Sequence, residues 1–285
     1  MSSNIKLGIC IDFTKINERI PWAAKQGCES VSITGKAPLR MKNLRETAAR
    51  VRALTDEYGL AVSSIGVYGN PLAIDEDYWE LKDLIASANL FNTGLVSTFA
   101  GAIPGQSVEH SIPVFRKRFS YLAHLAESKG VKIAFENCLQ GGSWDHATTN
   151  IAFNGRAWEM MKEAVPCSAL GLEWEPAHQL AQLVDPLVQL NRWAEDVFHV
   201  HGKDAVIDWN TIRTEGIFGK QYIAQFCNPG NGDSNWTDIV SILKKHNYSG
   251  SISLEIGHDP VWNGNLQEEG DQRALTYLAK AIRLG

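Results

Sequence analysis

Residues 229–257 read PGNGDSNWTDIVSILKKHNYSGSISLEIG and contain one helix–strand unit of the fold. A glycine-rich loop comes first, an amphipathic helical pattern follows from Trp236, and a short β-like run from Ser251 ends in Glu255. A helix that leads into a short apolar run is typical of a parallel sheet, in which helices connect successive strands. The same alternation recurs through the rest of the chain.

Eight apolar runs of strand length are separated by stretches with helical spacing. Strand alternating with helix predicts a parallel α/β sheet, and eight units favour a closed (β/α)8 TIM barrel over an open doubly wound sheet. A chain of 285 residues fits one barrel, so we expect a single domain over residues 1–285. The eight runs are Leu7–Asp12, Ser30–Thr34, Val62–Tyr68, Leu95–Phe99, Lys132–Glu136, Ala169–Glu175, Val197–His201 and Ser251–Ile256.

Composition narrows the range of partners. The net charge of −5 and the pI near 5.9 give no electrostatic footprint for nucleic acid. No apolar run approaches the roughly 18 residues of a spanning helix, and the start MSSNIKLGIC lacks a signal-peptide core, so we expect a cytoplasmic protein without membrane attachment. The five cysteines lack CxxC spacing, which argues against disulfides and a cysteine zinc site.

Two connections are unusually long, Gln140–Asn154 after the fifth strand and Asp204–Asn235 after the seventh. Both would lie at the carboxyl ends of the strands, where barrel enzymes place their active sites. Long loops at this face commonly cover a substrate, although plain surface decoration is the alternative.

Acidic or imidazole side chains end the last four predicted strands. In a barrel these ends meet at one mouth, and strand alternation can aim all four side chains inward. Three carboxylates buried together need a cation to neutralise them, and this oxygen-rich set favours Mn²⁺, Mg²⁺ or Co²⁺, with Zn²⁺ as a further option. The predicted metal ligands are Glu136, Glu175, His201 and Glu255.

Other side chains near the mouth are candidates for substrate contacts. His178 could touch substrate or orient a ligand, and Lys203 either has a direct role or simply pairs with Asp204. Aromatic rings could stack on a sugar, although core packing is the more common role of such residues. The aromatic candidates are Tyr68, Phe99, Trp144, Trp209, Trp236 and Trp262.

Strand alternation also places two polar residues one layer deeper in the barrel. Glu173 lies beneath Glu175, and His199 lies beneath His201. We expect Glu173 and His199 to form a buried pair that supports the ligands above them.

Four motifs in this part of the chain resemble those of a known protein family. IAFEN, EPAH, HGKD and the segment at 229–257 resemble the xylose-isomerase-like barrel family over about residues 115–260. That family includes sugar (phosphate) isomerases and epimerases such as D-tagatose 3-epimerase, inosose dehydratases, hydroxypyruvate isomerases and apurinic-site endonucleases. Two positions differ from its usual pattern: Glu175 stands in place of an aspartate, and Cys138 in place of a histidine that often follows Glu-Asn.

The resemblance implies that Glu136 and Glu255 both bind the metal and move a proton, with Glu175 and His201 as the other ligands. The reaction would be isomerisation or epimerisation of a ketose-like sugar through an enediolate. If the intermediate expels a substituent, the same site becomes a lyase or dehydratase for a keto-sugar, 3-keto-glycoside or inosose.

Two other functional classes, a DNA-repair endonuclease and a non-catalytic sugar-binding protein, fit the sequence less well. An apurinic-site endonuclease of this family needs extra histidines, and the predicted strand ends GVYGN and STFAG have none. A non-catalytic sugar-binding protein would be expected to lose the paired glutamates, and both are present. Arg213, Lys220 and the Pro229–Gly232 loop are candidates for a phosphate contact, but phosphorylation of the substrate stays open. The apolar outer helices would permit a homodimer or homotetramer.

Overall fold

The computed structural model describes residues 4–39, 43–219 and 223–285. Its strands and helices alternate along most of the chain. The strands are β1 Lys6–Asp12, β2 Ser30–Lys36, β3 Ala61–Tyr68, β4 Leu95–Thr98, β5 Lys132–Glu136, β6 Leu170–Trp174, β7 Val197–Gly202, β8 Asp204–Ile207, β9 Ala224–Cys227 and β10 Ser251–Leu254. The helices are α1 Ile16–Lys25, α2 Leu44–Tyr58, α3 Asp75–Ser87, α4 Val108–Lys129, α5 Gly155–Ala164, α6 Ala177–Leu180, α7 Pro186–Trp193, α8 Trp209–Glu215, α9 Trp236–Lys245 and α10 Gln267–Leu284.

Eight parallel strands close into a barrel in the order β1-β10-β7-β6-β5-β4-β3-β2. The predicted (β/α)8 TIM barrel is therefore confirmed, and each predicted strand bound lies within two residues of the observed one. The carboxyl ends of all eight strands open at one face, which is called the mouth below. Because β10 ends at Leu254, Glu255 is the first residue beyond its strand.

Helix boundaries follow local chemistry. The Ser107 hydroxyl accepts a hydrogen bond from the backbone N–H of His110 and so caps the start of α4. Gly130 ends the helix at φ 65°, in the left-handed region that favours glycine. Between these ends, Phe115 and Phe119 pack against Phe135 of β5, which fixes α4 on the outer wall of the barrel.

The inside of the barrel is unusually polar. Small hydroxyl side chains point inward, and Ser32 lies 2.6 Å from Ser64 while Ser30 lies 2.8 Å from Ser251, oxygen to oxygen. Barrel interiors are more often filled by branched apolar residues. Small side chains in these layers leave room for the larger Glu173 and His199 above them, so the interior is built to support polar groups at the mouth.

The connection Asp204–Asn235 was expected to be a loop, and that part of the prediction is wrong. It contains the antiparallel hairpin β8–β9 and the short helix α8, outside the barrel sheet. The hairpin packs through Ala205 against Ala177 and Leu180 of α6, which fixes it beside the mouth. In the described ranges, no helix is long and apolar enough to cross a membrane.

Candidate metal and substrate site

The four predicted metal ligands converge at the mouth. Glu136 ends β5, Glu175 follows β6, His201 lies on β7 and Glu255 follows β10. One potential ligand atom from each lies within 4.8 Å of the other three. Because β10, β7, β6 and β5 are consecutive in the barrel, the two glutamates Glu136 and Glu255 flank the other two ligands.

Unpartnered polar atoms in this group fit a bound cation. Among the described residues, both carboxylate oxygens of Glu175, both ring nitrogens of His201 and Oε2 of Glu255 are buried and make no hydrogen bond of good geometry, although His178, Glu173 and Lys203 lie close to three of these atoms. Leaving such atoms unpaired costs about 1–3 kcal/mol each, and more when they are charged. A metal ion bound by these oxygens and a nitrogen would satisfy them, so the residues present suit a divalent cation.

The pKa values of Glu136 and Glu255 also fit a site that binds a cation. Burial, together with the nearby carboxylates of Glu255 and Glu175, holds the pKa of Glu136 well above its ordinary value. Burial would also raise the pKa of Glu255, but the Lys203 ammonium, together with the contacts to His258 and His201, overcomes it and holds that pKa well below the ordinary value. Without a further cation, the site therefore favours a protonated Glu136 beside an ionised Glu255.

Lys203 lies among the carboxylates. Its ammonium is 3.2 Å from Oε2 of Glu255 and 3.9 Å from Oε1 of Glu175. The alternative pairing with Asp204 is wrong, because the Asp204 carboxylate points away and accepts hydrogen bonds from the indole of Trp236 and the backbone N–H of Ser234. Asp204 thus anchors the loop before α9, while Lys203 serves the mouth.

The predicted pair beneath the ligands is confirmed. His199 Nδ1 lies 2.7 Å from Oε1 of Glu173, and both side chains are buried inside the barrel. The same oxygen accepts a hydrogen bond from the Ser97 hydroxyl and lies 3.1 Å from Nε2 of His201. Glu173 thus lies below the His201 ring next to Nε2, while Nδ1 is the ring nitrogen that lies 3.6 Å from Oε2 of Glu255.

Two of the predicted substrate contacts lie close to the ligands. His178, on α6, is buried, with Nε2 2.7 Å from Oε1 of Glu175, and its ring packs edge-on against Phe226 of β9. Tyr68 ends β3, and its hydroxyl donates to Oε2 of Glu173. The structure therefore gives Tyr68 a supporting contact below the ligands, and its ring packs against Phe99.

Of the four candidate tryptophans, one lines the cavity at the mouth and three contact residues elsewhere. Trp209 is half-exposed and lines a cavity at the mouth. The other three have partners elsewhere: the Trp236 indole is fully buried on Asp204, the Trp144 indole donates to Glu109 of α4, and Trp262 packs under Arg273 of α10. Direct stacking of Trp144 on a sugar has no support from this placement, because its indole is turned towards α4.

Two residues at the mouth were not assigned a role from the sequence. His258 lies with Nε2 2.8 Å from Oε1 of Glu255 and borders the cavity. Its position three residues after the strand-end glutamate was the available signal. Cys138 borders the same cavity, and its sulfur accepts a hydrogen bond from the amide of Gln140.

The residues suggested for phosphate that lie in the described ranges do not gather. Arg213 is exposed on α8, and Gly230 of the Pro229–Gly232 loop lies against Tyr277 of α10. Lys220 lies outside the described residues.

Known proteins of similar sequence match about half of this chain. The inosose dehydratase of Clostridium tetani is 24% identical over 148 residues, which cover 51% of this chain and 47% of that protein. The chain spans about half the length, or less, of the curated relatives it matches.

Solved structures match over nearly the whole chain. A xylose isomerase domain protein from Planctomyces limnophilus superposes with a TM-score of 0.76 at 18% identity, covering 98% of both chains. The 3-keto-D-glucoside 4-epimerase of E. coli superposes with a TM-score of 0.71 at 14% identity, covering 97% of this chain and all of that one. The family model described as xylose isomerase-like TIM barrel matches residues 20–281. The chain therefore belongs to the xylose isomerase-like TIM barrel family.

Proposed function

We propose that this protein is a divalent-metal-dependent isomerase or epimerase of a ketose-like sugar, which moves a proton on the carbon next to a carbonyl. The observation that carries the proposal is the convergence of Glu136, Glu175, His201 and Glu255 with buried, unpartnered polar atoms. These four residues would hold the metal, and the oxygen-rich set suits Mn²⁺, Mg²⁺ or Co²⁺. When bound, the cation supplies positive charge for the oxygens on which negative charge develops.

The two flanking glutamates are suited to proton transfer. Glu136 and Glu255 lie on opposite sides of the group, and their surroundings push their pKa values in opposite directions. Such a pair can supply one acid and one base. Glu255 would take the proton from one face of the carbon and Glu136 would return one from the other, which gives epimerisation; return to the adjacent carbon gives isomerisation.

Neighbouring side chains would position the substrate. The Lys203 ammonium and the His178 imidazole both border the cavity and lie next to Glu175. Lys203 can donate hydrogen bonds to a substrate oxygen while it keeps Glu255 ionised. His178 can bind a second oxygen through its ring nitrogen, so that the reacting carbon is held between the two glutamates.

A lyase or dehydratase is the second candidate. Removal of the same proton could be followed by loss of a substituent from the neighbouring carbon of a keto-sugar, 3-keto-glycoside or inosose. Two observations favour it: His258 reaches from Glu255 to the cavity, and several sequence relatives are named inosose dehydratase. In this reaction His258 would serve the departing oxygen.

Deuterium incorporation tests both candidates. The protein is stripped of metal, restored with single divalent ions, and incubated in deuterated water with ketoses, keto-glycosides and inososes. Exchange at the carbon next to the carbonyl is expected with Mn²⁺, Mg²⁺ or Co²⁺, and an unsaturated product that has lost a substituent would favour the lyase. No exchange with any substrate and any metal would reject the proposed function.

A further inference from the structure

The cavity above the four ligands is larger than one sugar ring needs. It has a volume of about 910 Å³, and His178, Lys203 and His258 form the end nearest the ligands. Pockets of 300–1,000 Å³ commonly hold drug-sized ligands. A single hexose is well below that size, so it would fill only part of this space.

The far wall of the cavity comes from the β8–β9 hairpin and the start of α8. Its side chains are largely apolar, and Val206 and Trp209 are 40% and 49% exposed although they border a concave surface. Ile223 and Phe226 extend the same wall. Exposed apolar side chains clustered around a pocket are typical of a surface that a ligand covers.

The charge of this wall argues against a phosphate group. Of the described residues that border the cavity, Lys203 is the only lysine or arginine, and Glu255 and Glu175 already surround its ammonium. Asp208, at the cap of α8, adds a negative charge next to Trp209. A phosphate placed there would lose water without gaining a cation.

Trp209 differs from the other tryptophans suggested for this face. Its ring borders the cavity, while those of Trp144, Trp236 and Trp262 are held by Glu109, Asp204 and Arg273. An indole with one open face can pack against a sugar ring or an aromatic ring. Trp209 is the first residue of α8, in the segment that joins the two strands of the hairpin.

We propose that the hairpin and Trp209 form a second binding site for a ring attached to the reacting sugar, so that the substrate is a keto-glycoside rather than a free ketose. The attached ring is a second sugar or an aromatic aglycone. This inference rests on the proposed function, which places the reacting keto-sugar beside Glu136 and Glu255. The cavity extends from Lys203 and His258, which both contact Glu255, to Trp209, so one molecule can occupy both ends.

A substrate series with one reacting ring tests the inference. The probes are free 3-keto-glucose, methyl 3-keto-glucoside, phenyl 3-keto-glucoside and a 3-keto-disaccharide, and the readouts are deuterium incorporation and release of the attached group. The wild-type kcat/KM is expected to rise about tenfold or more from the methyl to the phenyl or disaccharide probe, in line with one ring–ring contact. Trp209→Ala should remove most of that gain and leave the methyl glucoside unchanged.

Trp79→Ala is the matched control. Trp79 is 54% exposed on α3 and does not border the cavity, so its removal should leave every probe unchanged. Equal kcat/KM for all four probes, or the same loss for all four in Trp209→Ala, would overturn the inference and leave the proposed function standing. No exchange with any probe or any ketose would overturn the proposed function, and this inference with it.

Discussion

Replacing Lys203 with methionine tests the charge balance of the site without a substrate. The Lys203 ammonium is buried and lies 3.2 Å from Oε2 of Glu255. Methionine keeps most of the chain length and removes the charge. In the metal-free protein, Glu255 would then lose the largest of the contributions that keep its pKa low. We therefore expect the variant to be less stable than the wild type at neutral pH.

Two energies bound the loss of folding stability in this variant: the attraction between the two charges, and the cost of protonating Glu255. At an effective dielectric constant of about 20, two unit charges 3.2 Å apart attract by about 5 kcal/mol. Glu255 can avoid the full loss by taking up a proton, which at pH 7 costs about 4 kcal/mol for a carboxyl group with an ordinary pKa near 4.3. The expected loss is about 3–4 kcal/mol at pH 7, within the range for breaking a buried pair.

The loss of stability in Lys203→Met should depend on pH. In the variant, the folded-state pKa of Glu255 rises above its unfolded value, so the cost of binding the proton shrinks as the pH falls towards about 4.3. At pH 5.5 the loss should be only about 1.5 kcal/mol. Urea unfolding with a chelator present, followed at both pH values, measures it. A variant as stable as wild type at pH 7, or one whose deficit grows at pH 5.5, would refute the reasoning.

Four further variants test other parts of the site and the fold. Glu136→Gln and Glu255→Gln should each abolish deuterium incorporation with an unchanged circular dichroism spectrum; near-normal exchange in either would show that its role is wrong. Glu173→Gln should weaken Mn²⁺ binding by about 10–100-fold in calorimetry, because His201 loses its support, and unchanged affinity would count against that contact. Gly232→Ala should cost about 1–3 kcal/mol in urea unfolding, because a methyl group there overlaps the Asp204 carboxylate; full stability would contradict the packing.

The barrel and the convergence of the four candidate ligands could be predicted because both depend on simple periodicities. Buried parallel strands are short apolar runs, and strand alternation alone puts Glu173 on the inner face of β6 and Glu175, the next residue after the strand, on the same side. Because parallel strands bring their carboxyl ends to one face, polar strand-end residues such as Glu136 and His201 had to lie near one another. These inferences needed no knowledge of side-chain packing.

The residues that failed depend on contacts between distant segments. Asp204 follows Lys203 directly, yet it bonds the indole of Trp236, and no local pattern signals that partner. Only one residue, Lys203, separates the end of β7 from the hairpin strand Asp204–Ile207. This strand has too little alternation of apolar and polar residues to be distinguished from a loop by its sequence. Trp144 looked like a mouth residue because of its loop, but a carboxylate on α4 holds its indole.

In the proposed site, three carboxylates and one imidazole hold a single divalent cation. Pulsed electron paramagnetic resonance of the metal-free protein titrated with Mn²⁺ tests it most directly, because it counts the bound ion and detects a coordinating nitrogen. The account predicts one Mn²⁺ per chain, with a nitrogen coupling that disappears in His201→Gln. A chain that binds no Mn²⁺, or one that keeps the nitrogen coupling in that variant, would contradict it.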